Sequence, residues 1–184
     1  MVKIYNIKYP ISQSIIQLPS SPLLTQSQNA PFCDEDSIKG LDCKGQDFCR
    51  CTHILKVDLG DVVEIILIDE GHPYDVSHPF HLHGHSFYVV AMERHAANPD
   101  HIGPGPDPEK KNFISREYVE NLNQEGKIKK NLFNPPLKDN VAVPDAGFTV
   151  IRFLADNVGY WLFHCHMSWH NHLGMGLVIK VKNR

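Results

Sequence analysis

Two short windows hold eight of the chain's twelve histidines. His78, His81, His83 and His85 fall within eight residues, and His164, His166, His170 and His172 within nine. Neutral imidazole is the commonest metal ligand, and scattered surface histidines would not gather into two runs. The windows therefore predict metal binding, and they constrain the fold as well. In an extended chain side chains alternate between faces, so His81 and His83 point one way, with Cα atoms roughly 6.7 Å apart. His78 differs in parity and points the other way. His164 and His166 likewise share a face, with Cys165 on the opposite one. If the two segments run side by side, His81, His83, His164 and His166 converge on one centre. His78 and Cys165 converge on a second, and covalent bonds link the two.

The ligand set of the second centre identifies its chemistry. A thiolate and two imidazoles with a weak axial methionine describe a blue-copper electron-transfer site. Cys165 supplies sulfur, His78 one nitrogen, and His170, in the turn after the strand, the other. Met175 follows where the last strand begins and can return as axial ligand, with Gly174 and Gly176 permitting a tight approach. His53, His72, His95 and His101 read as ordinary histidines, and His85 and His172 as residues that line the site. Met92 and Met167 read as core or packing residues. Trp161, Phe163 and Trp169 read as core aromatics or walls of the copper pocket.

The rest of the chain reads as all-β. A length of 184 residues suits one domain, and 42% hydrophobic with 21% charged residues excludes wholesale disorder. The formal charge of −3 argues against nucleic acid as the main partner. No apolar stretch approaches the ~18 residues of a membrane helix; the densest run, Val62 to Ile68, contains Glu64. Residues 1–52 carry many turn formers, including Pro10, Pro19, Pro22 and Pro31. They read as an irregular approach segment with one strand near Lys3–Tyr9, the tail of preceding strands of the same domain. Strands are expected over 53–69, 86–92, 141–143, 148–154, 160–166 and 175–181, a short helix over 115–123, and a Gly/Pro loop over 95–111. Several short strands with little helix indicate an antiparallel sandwich.

Cys33, Cys43, Cys49 and Cys51 contain no CxxC, which excludes a zinc finger. One or two disulfides in a secreted protein is the better reading. Four cysteines allow three connectivities, and partners outside this chain are also open. The run after Met1 is broken by Asn6, Lys8 and Pro10, so it is no secretion signal.

HPFHLHGH (His78–His85) and GYWLFHCHMSWHNHLGM (Gly159–Met175) resemble the two C-terminal copper signatures of the multicopper oxidases, a family of laccases, ascorbate oxidases and ferroxidases. SPLLTQ (Ser21–Gln26), CTH (Cys51–His53), LKDNVAVP (Leu137–Pro144) and RFLADN (Arg152–Asn157) are most similar to arthropod-type laccases. Two departures stand out. Val158 replaces a Pro frequent in the family, and Asn171-His172 is unfamiliar.

The resemblance implies a cupredoxin-like Greek-key β-sandwich with a short helix and long loops, residues 53–184 forming the C-terminal, plastocyanin-like third of three domains. It implies that His78, Cys165 and His170 bind type 1 copper with Met175 axial, that His81 binds type 2 copper, and that His83, His164 and His166 bind the type 3 pair. A diphenol or catechol would be oxidised at type 1 copper. Electrons would pass through Cys165 to His164 and His166, and a three-copper cluster would reduce O2 to water in a secreted enzyme. The alternatives are a ferroxidase, which needs a carboxylate cluster near type 1 copper, with Asp69, Glu70 and Asp75 nearby in sequence, and a non-catalytic blue-copper module. The family's other two histidine motifs, resembling HWHG and HxH near the N-terminus, do not occur in these 184 residues. The expected partners are therefore the preceding cupredoxin domains of the same enzyme, with Met1 a fragment start. This chain holds about half of the cluster's ligands and no membrane segment.

Overall fold

A computed structural model describes residues 2–8, 14–16, 22–26, 32–34, 49–71, 76–94 and 114–184. Among these, strands form two sheets. The first has the order β1 (Val2–Lys8), β5 (Val62–Asp69), β10 (Gly147–Leu154), β7 (Phe87–Arg94), β8 (Leu137–Lys138). The second runs β2 (Ser14–Ile16), β4 (Cys49–Asp58), β12 (Gly176–Lys182), β11 (Gly159–Cys165), β6 (His78–Leu82), β9 (Asn140–Val143), with β3 (Phe32–Cys33) also paired to β4. Three short helices complete the described chain: α1 (Leu23–Gln26), α2 (Arg116–Gln124) and α3 (Ser168–His172). The all-β, cupredoxin-like class expected from the sequence is the class observed.

The sheets are mixed rather than purely antiparallel. β1 pairs with β5 in parallel, and β4 pairs in parallel with β12, β2 and β3. These partners are far apart or joined by long connections, so no hairpin forces them antiparallel.

The core lies between the sheets. Val63, Ile65 and Leu67 of β5 and Ile151 and Phe153 of β10 face Phe80, Leu82, Phe163, Leu177 and Ile179 of the second sheet. Cys165 and Met175 belong to this same apolar cluster. β5 is buried on its other face too, where Ile66 and Ile68 meet Ile114, Val119 and Ile128. Burial on both faces explains why β5 reads as a continuous apolar run rather than an alternating one. Glu64 lies on that second face, fully buried. It is tolerated because Lys130 Nζ and Arg152 Nε each lie 2.6 Å from its carboxylate.

Ser115 caps α2, accepting from the Tyr118 amide at 3.1 Å, so the helix begins one residue later than expected. Val119 and Leu122 pack inward, three residues apart on one face, whereas Tyr118 is exposed. The loop expected over 95–111 lies outside the described residues. One disulfide joins Cys33 to Cys51 across β3 and β4, with Cα atoms 5.9 Å apart. Cys43 and the side chain of Cys49 lie outside the described residues. No described helix is long and apolar enough to cross a membrane.

Candidate metal centre

β6 and β11 run antiparallel, with His164 opposite His81, Cys165 opposite Phe80, and Phe163 opposite Leu82. The strand period does the rest. His78, Phe80 and Leu82 are buried toward the core, while His81 faces away from it. On β11, Phe163 and Cys165 face the core, and His164 lies on the side of His81. The pairing continues past the end of β11, where the His166 amide donates to the Pro79 carbonyl at 2.7 Å.

On the core side, His78, Cys165 and His170 form a compact set whose donor atoms all lie within 4.8 Å of one another. The two Nδ1 atoms are 3.0 Å apart, and Cys165 Sγ is 4.0 Å from that of His78 and 3.9 Å from that of His170. Met175 is fully buried beside them. Its amide donates to the His170 carbonyl at 3.0 Å, and its carbonyl accepts from the Cys165 amide at 2.8 Å. The loop holding His170 is thus tied at both ends to the strand holding Cys165. One sulfur and two imidazole nitrogens converging beside the apolar core suit copper.

The set is electrostatically poised. Burial pushes His170 down, with His78 adding to the effect, so its imidazole is held in the neutral form. Burial also works against a charge on His78, but Asp69 and Cys165 outweigh it and raise His78 to about 9. Asp69 Oδ2 lies 3.1 Å from His78 Nε2, in close contact without ideal alignment. A metal taken up through His78 Nδ1 would therefore displace a proton.

On the opposite side, His81, His83, His164 and His166 form a second cluster. Ring centroids are 4.8 Å apart for His81–His83, 5.2 Å for His83–His164, 5.6 Å for His164–His166 and 6.0 Å for His81–His166. His83 Nε2 lies 3.1 Å from His164 Nε2. Backbone carbonyls select the tautomers. His164 Nδ1 is 2.9 Å from the Cys165 carbonyl and His81 Nδ1 is 2.7 Å from that of Asp139. A carbonyl only accepts, so each Nδ1 carries the proton and each Nε2 keeps its lone pair for a metal. Burial lowers His83 and His164, and neighbouring imidazoles lower both further. Both are neutral at pH 7.

Gly84 supports this side. Its backbone is left-handed, and its bare Cα lies against the Trp161 ring. Asn157 Nδ2 donates to the Gly84 carbonyl at 3.0 Å, while Trp161 Nε1 donates to the Asn157 carbonyl at 2.8 Å. The turn after His83 is thereby fastened to β11. His85 is buried between Phe153 and Trp161, with centroids 5.2 and 5.7 Å away. Three sequence readings need correction. Trp169 is 72% exposed on α3, and Met92 and Met167 are also exposed, so none of them is a core residue. A one-turn helix buries little of what it carries, and Met92 lies near the end of β7, where the last three residues are exposed. His72, His95 and His101 lie outside the described residues. Sequence reasoning missed the Asp139 carbonyl and the place of Asp69 behind His78.

The sequence model of the multicopper oxidases matches residues 16–184. This chain belongs to that family. Among its multicopper oxidase relatives, Laccase-8 of Oryza sativa subsp. japonica is 35% identical over 75% of this chain and 21% of its own length. An L-ascorbate oxidase of Cucumis sativus is 37% identical over 68% of this chain and 18% of its own. The chain thus spans about a fifth of the length of the curated relatives it matches. In fold, it is similar to Fet3p, a multicopper oxidase that functions in iron import, with TM-score 0.58 and 24% identity over 97% of this chain and 31% of that one. Membership of the family implies copper.

Proposed function

We propose that this chain is the C-terminal copper domain of a laccase-like multicopper oxidase that oxidises diphenols or catechols. In this reading His78, Cys165 and His170 hold type 1 copper with Met175 axial. His81 serves type 2 copper, and His83, His164 and His166 serve the type 3 pair. The observation that carries it is the back-to-back arrangement of the two donor sets across β11, one containing Cys165 and the other its two neighbours in sequence. When bound, copper would supply one-electron oxidation at the inner site and four-electron reduction of O2 at the outer one.

The chain's own residues supply the rest. Cys165, His164 and His166 connect the two sets through covalent bonds alone. His170 turns Nδ1 toward Cys165 and is partly exposed, so its outer ring edge is the natural point of approach for a reducing substrate. His83 and His166 are exposed and wait for the remaining ligands, which the preceding cupredoxin domains would bring. Residues 53–184 would form the third domain, with 1–52 part of the same unit. The pairing of β1 with β5 and of β2 and β3 with β4 supports that. The Cys33–Cys51 disulfide supports an oxidising, secreted setting. The short matches to arthropod-type laccases favour catechols.

The ferroxidase alternative has less support. Asp69 is buried against His78 and Glu70 Oε1 accepts from the Arg116 amide at 3.1 Å, so these two do not form an open carboxylate cluster, and Asp75 lies outside the described residues. Copper stoichiometry, visible absorption and O2 uptake test the proposal. The 184-residue chain should bind one copper as a blue site and accept an electron from a catechol without sustained O2 uptake. Joined to its preceding domains, it should consume O2 with a catechol faster than with Fe(II). No blue band, or preference for Fe(II), would overturn the reading.

A further inference from the structure

We infer that Asp69 is a positioning residue for type 1 copper, selecting the metal-binding tautomer of His78, holding the site's reduction potential low, and so restricting substrates to strongly reducing diphenols. The inference rests on the proposed function and deepens it.

Asp69 ends β5 in the first sheet, and His78 opens β6 in the second. The carboxylate is buried, with Asp69 6% exposed. Its Oδ1 accepts from the Gly71 amide at 2.8 Å, in a turn that Gly71 makes with φ +93°. That bond fixes the carboxylate's orientation from the main chain. Among the described residues Oδ2 has no donor other than the His78 ring, whose Nε2 is 3.1 Å away. A buried carboxylate oxygen is costly unless a neighbouring group donates a proton to it. Nε2 is therefore the protonated nitrogen of the liganding imidazole, and Nδ1, facing Cys165 Sγ and His170, keeps its lone pair.

Two physical effects follow. A carboxylate behind a liganding histidine makes that ring a stronger donor. Its negative charge, in a low-dielectric surrounding, also favours the more positive oxidation state. Both lower the reduction potential, so poor reductants such as unactivated monophenols lose driving force while catechols and hydroquinones keep it. Each such substrate gives one electron to the site and its hydroxyl proton to solvent. Four electrons and four protons convert one O2 to two waters, so the balance needs no further oxidant.

The test compares wild type with Asp69→Asn on the copper-loaded full chain by redox titration of the blue band. Asp69→Asn should stay blue, with its oxidation equilibrium against a reference couple shifted at least tenfold, about 59 mV for one electron. Copper affinity should fall by roughly ten- to a hundredfold, and Asp69→Glu should restore part of both. Should Asp69→Asn not fold, wild type itself decides through proton NMR of the cobalt(II)-loaded chain. The His78 Nε2–H should exchange with solvent much more slowly than that of His170. A blue Asp69→Asn with an unchanged potential, or equally fast exchange of both ring protons, overturns the role of Asp69. Absence of any blue band in wild type instead overturns the proposed function, and the inference with it.

Discussion

His164 and Cys165 are consecutive in β11, yet they serve opposite sides of it. His164 Nε2 lies 3.1 Å from His83 Nε2, whereas Cys165 Sγ lies 4.0 Å from His78 Nδ1. Strand alternation alone places one residue in the exposed imidazole cluster and the next in the apolar core. One peptide unit is then the whole separation between the two donor sets.

Cys165→Ser should abolish the intense blue absorption, because the thiolate that produces it is gone. The swap is nearly isosteric at a fully buried position, and the strand pairing around it is main-chain. The chain should therefore still fold, and His164 and His166 should still bind metal weakly. Visible absorption and circular dichroism check both halves. Persistent blue colour in the folded variant would remove Cys165 from the site.

Met175→Leu should keep type 1 copper and raise its reduction potential, since a weak axial donor is lost. The substitution conserves volume in a fully buried site, so its stability cost should stay below about 1.5 kcal/mol. The bonds of Met175 to His170 and Cys165 are main-chain and survive it. A redox titration that finds no change would argue against an axial role.

Gly84→Ala should damage the imidazole cluster more than the inner site. A Cβ there would overlap the Trp161 ring, and the backbone has φ +70°. The left-handed conformation alone costs an alanine about 1–2 kcal/mol, and displacement of Trp161 adds to it. Thermal unfolding should show the loss, and the blue band should persist because His78, Cys165 and His170 are anchored elsewhere. Equal loss of both would show that the turn also supports the inner site.

Much of the site was legible because it depends on a period of two within single strands. The split of His78 from His81 and His83, and of Cys165 from His164, needed only alternation. The core run of β5 and the helix near 116–124 were legible for similar local reasons. What stayed hidden depends on packing between distant segments. Asp69 reaches His78 only because two sheets face each other. The carbonyl that orients His81 belongs to the main chain of Asp139, which no residue type announces. The choice of Cys51 as partner for Cys33, and the parallel pairing of β4 with β12, likewise come from tertiary arrangement.

Glu64→Ala should destabilise the protein by about 3 kcal/mol. The carboxylate is fully buried, and Lys130 and Arg152 converge on it with side chains only 18% and 29% exposed. Removing it leaves two cations against the apolar cluster of Ile66, Val119 and Ile128. Urea unfolding should show the loss, while the metal sites on the other sheet keep their spectra. A near-neutral result would mean that both cations escape to solvent.

The acid–base behaviour of the copper-free chain should have two opposite limbs. Asp69 and Cys165 overcome burial and raise His78 from 6.5 to about 9. Its folded value exceeds its unfolded one, so its stabilisation is complete below about pH 6.5 and is lost as pH rises through about 9. His83 and His164 are lowered, first by burial, so their contribution is present above their ordinary value of 6.5 and lost as pH falls. Copper binding couples to the first limb. The cationic ring must lose its Nδ1 proton, keeping the one on Nε2, before Nδ1 can bind, so apparent copper affinity should rise about tenfold per pH unit from this residue alone. That rise should flatten near pH 9. Competition with a chelator of known pH dependence, at several values between 6 and 9, measures the slope. His78→Gln, which does not titrate, should lower it by about one proton. A wild-type affinity that is flat with pH would show that His78 Nδ1 carries no proton in the copper-free site.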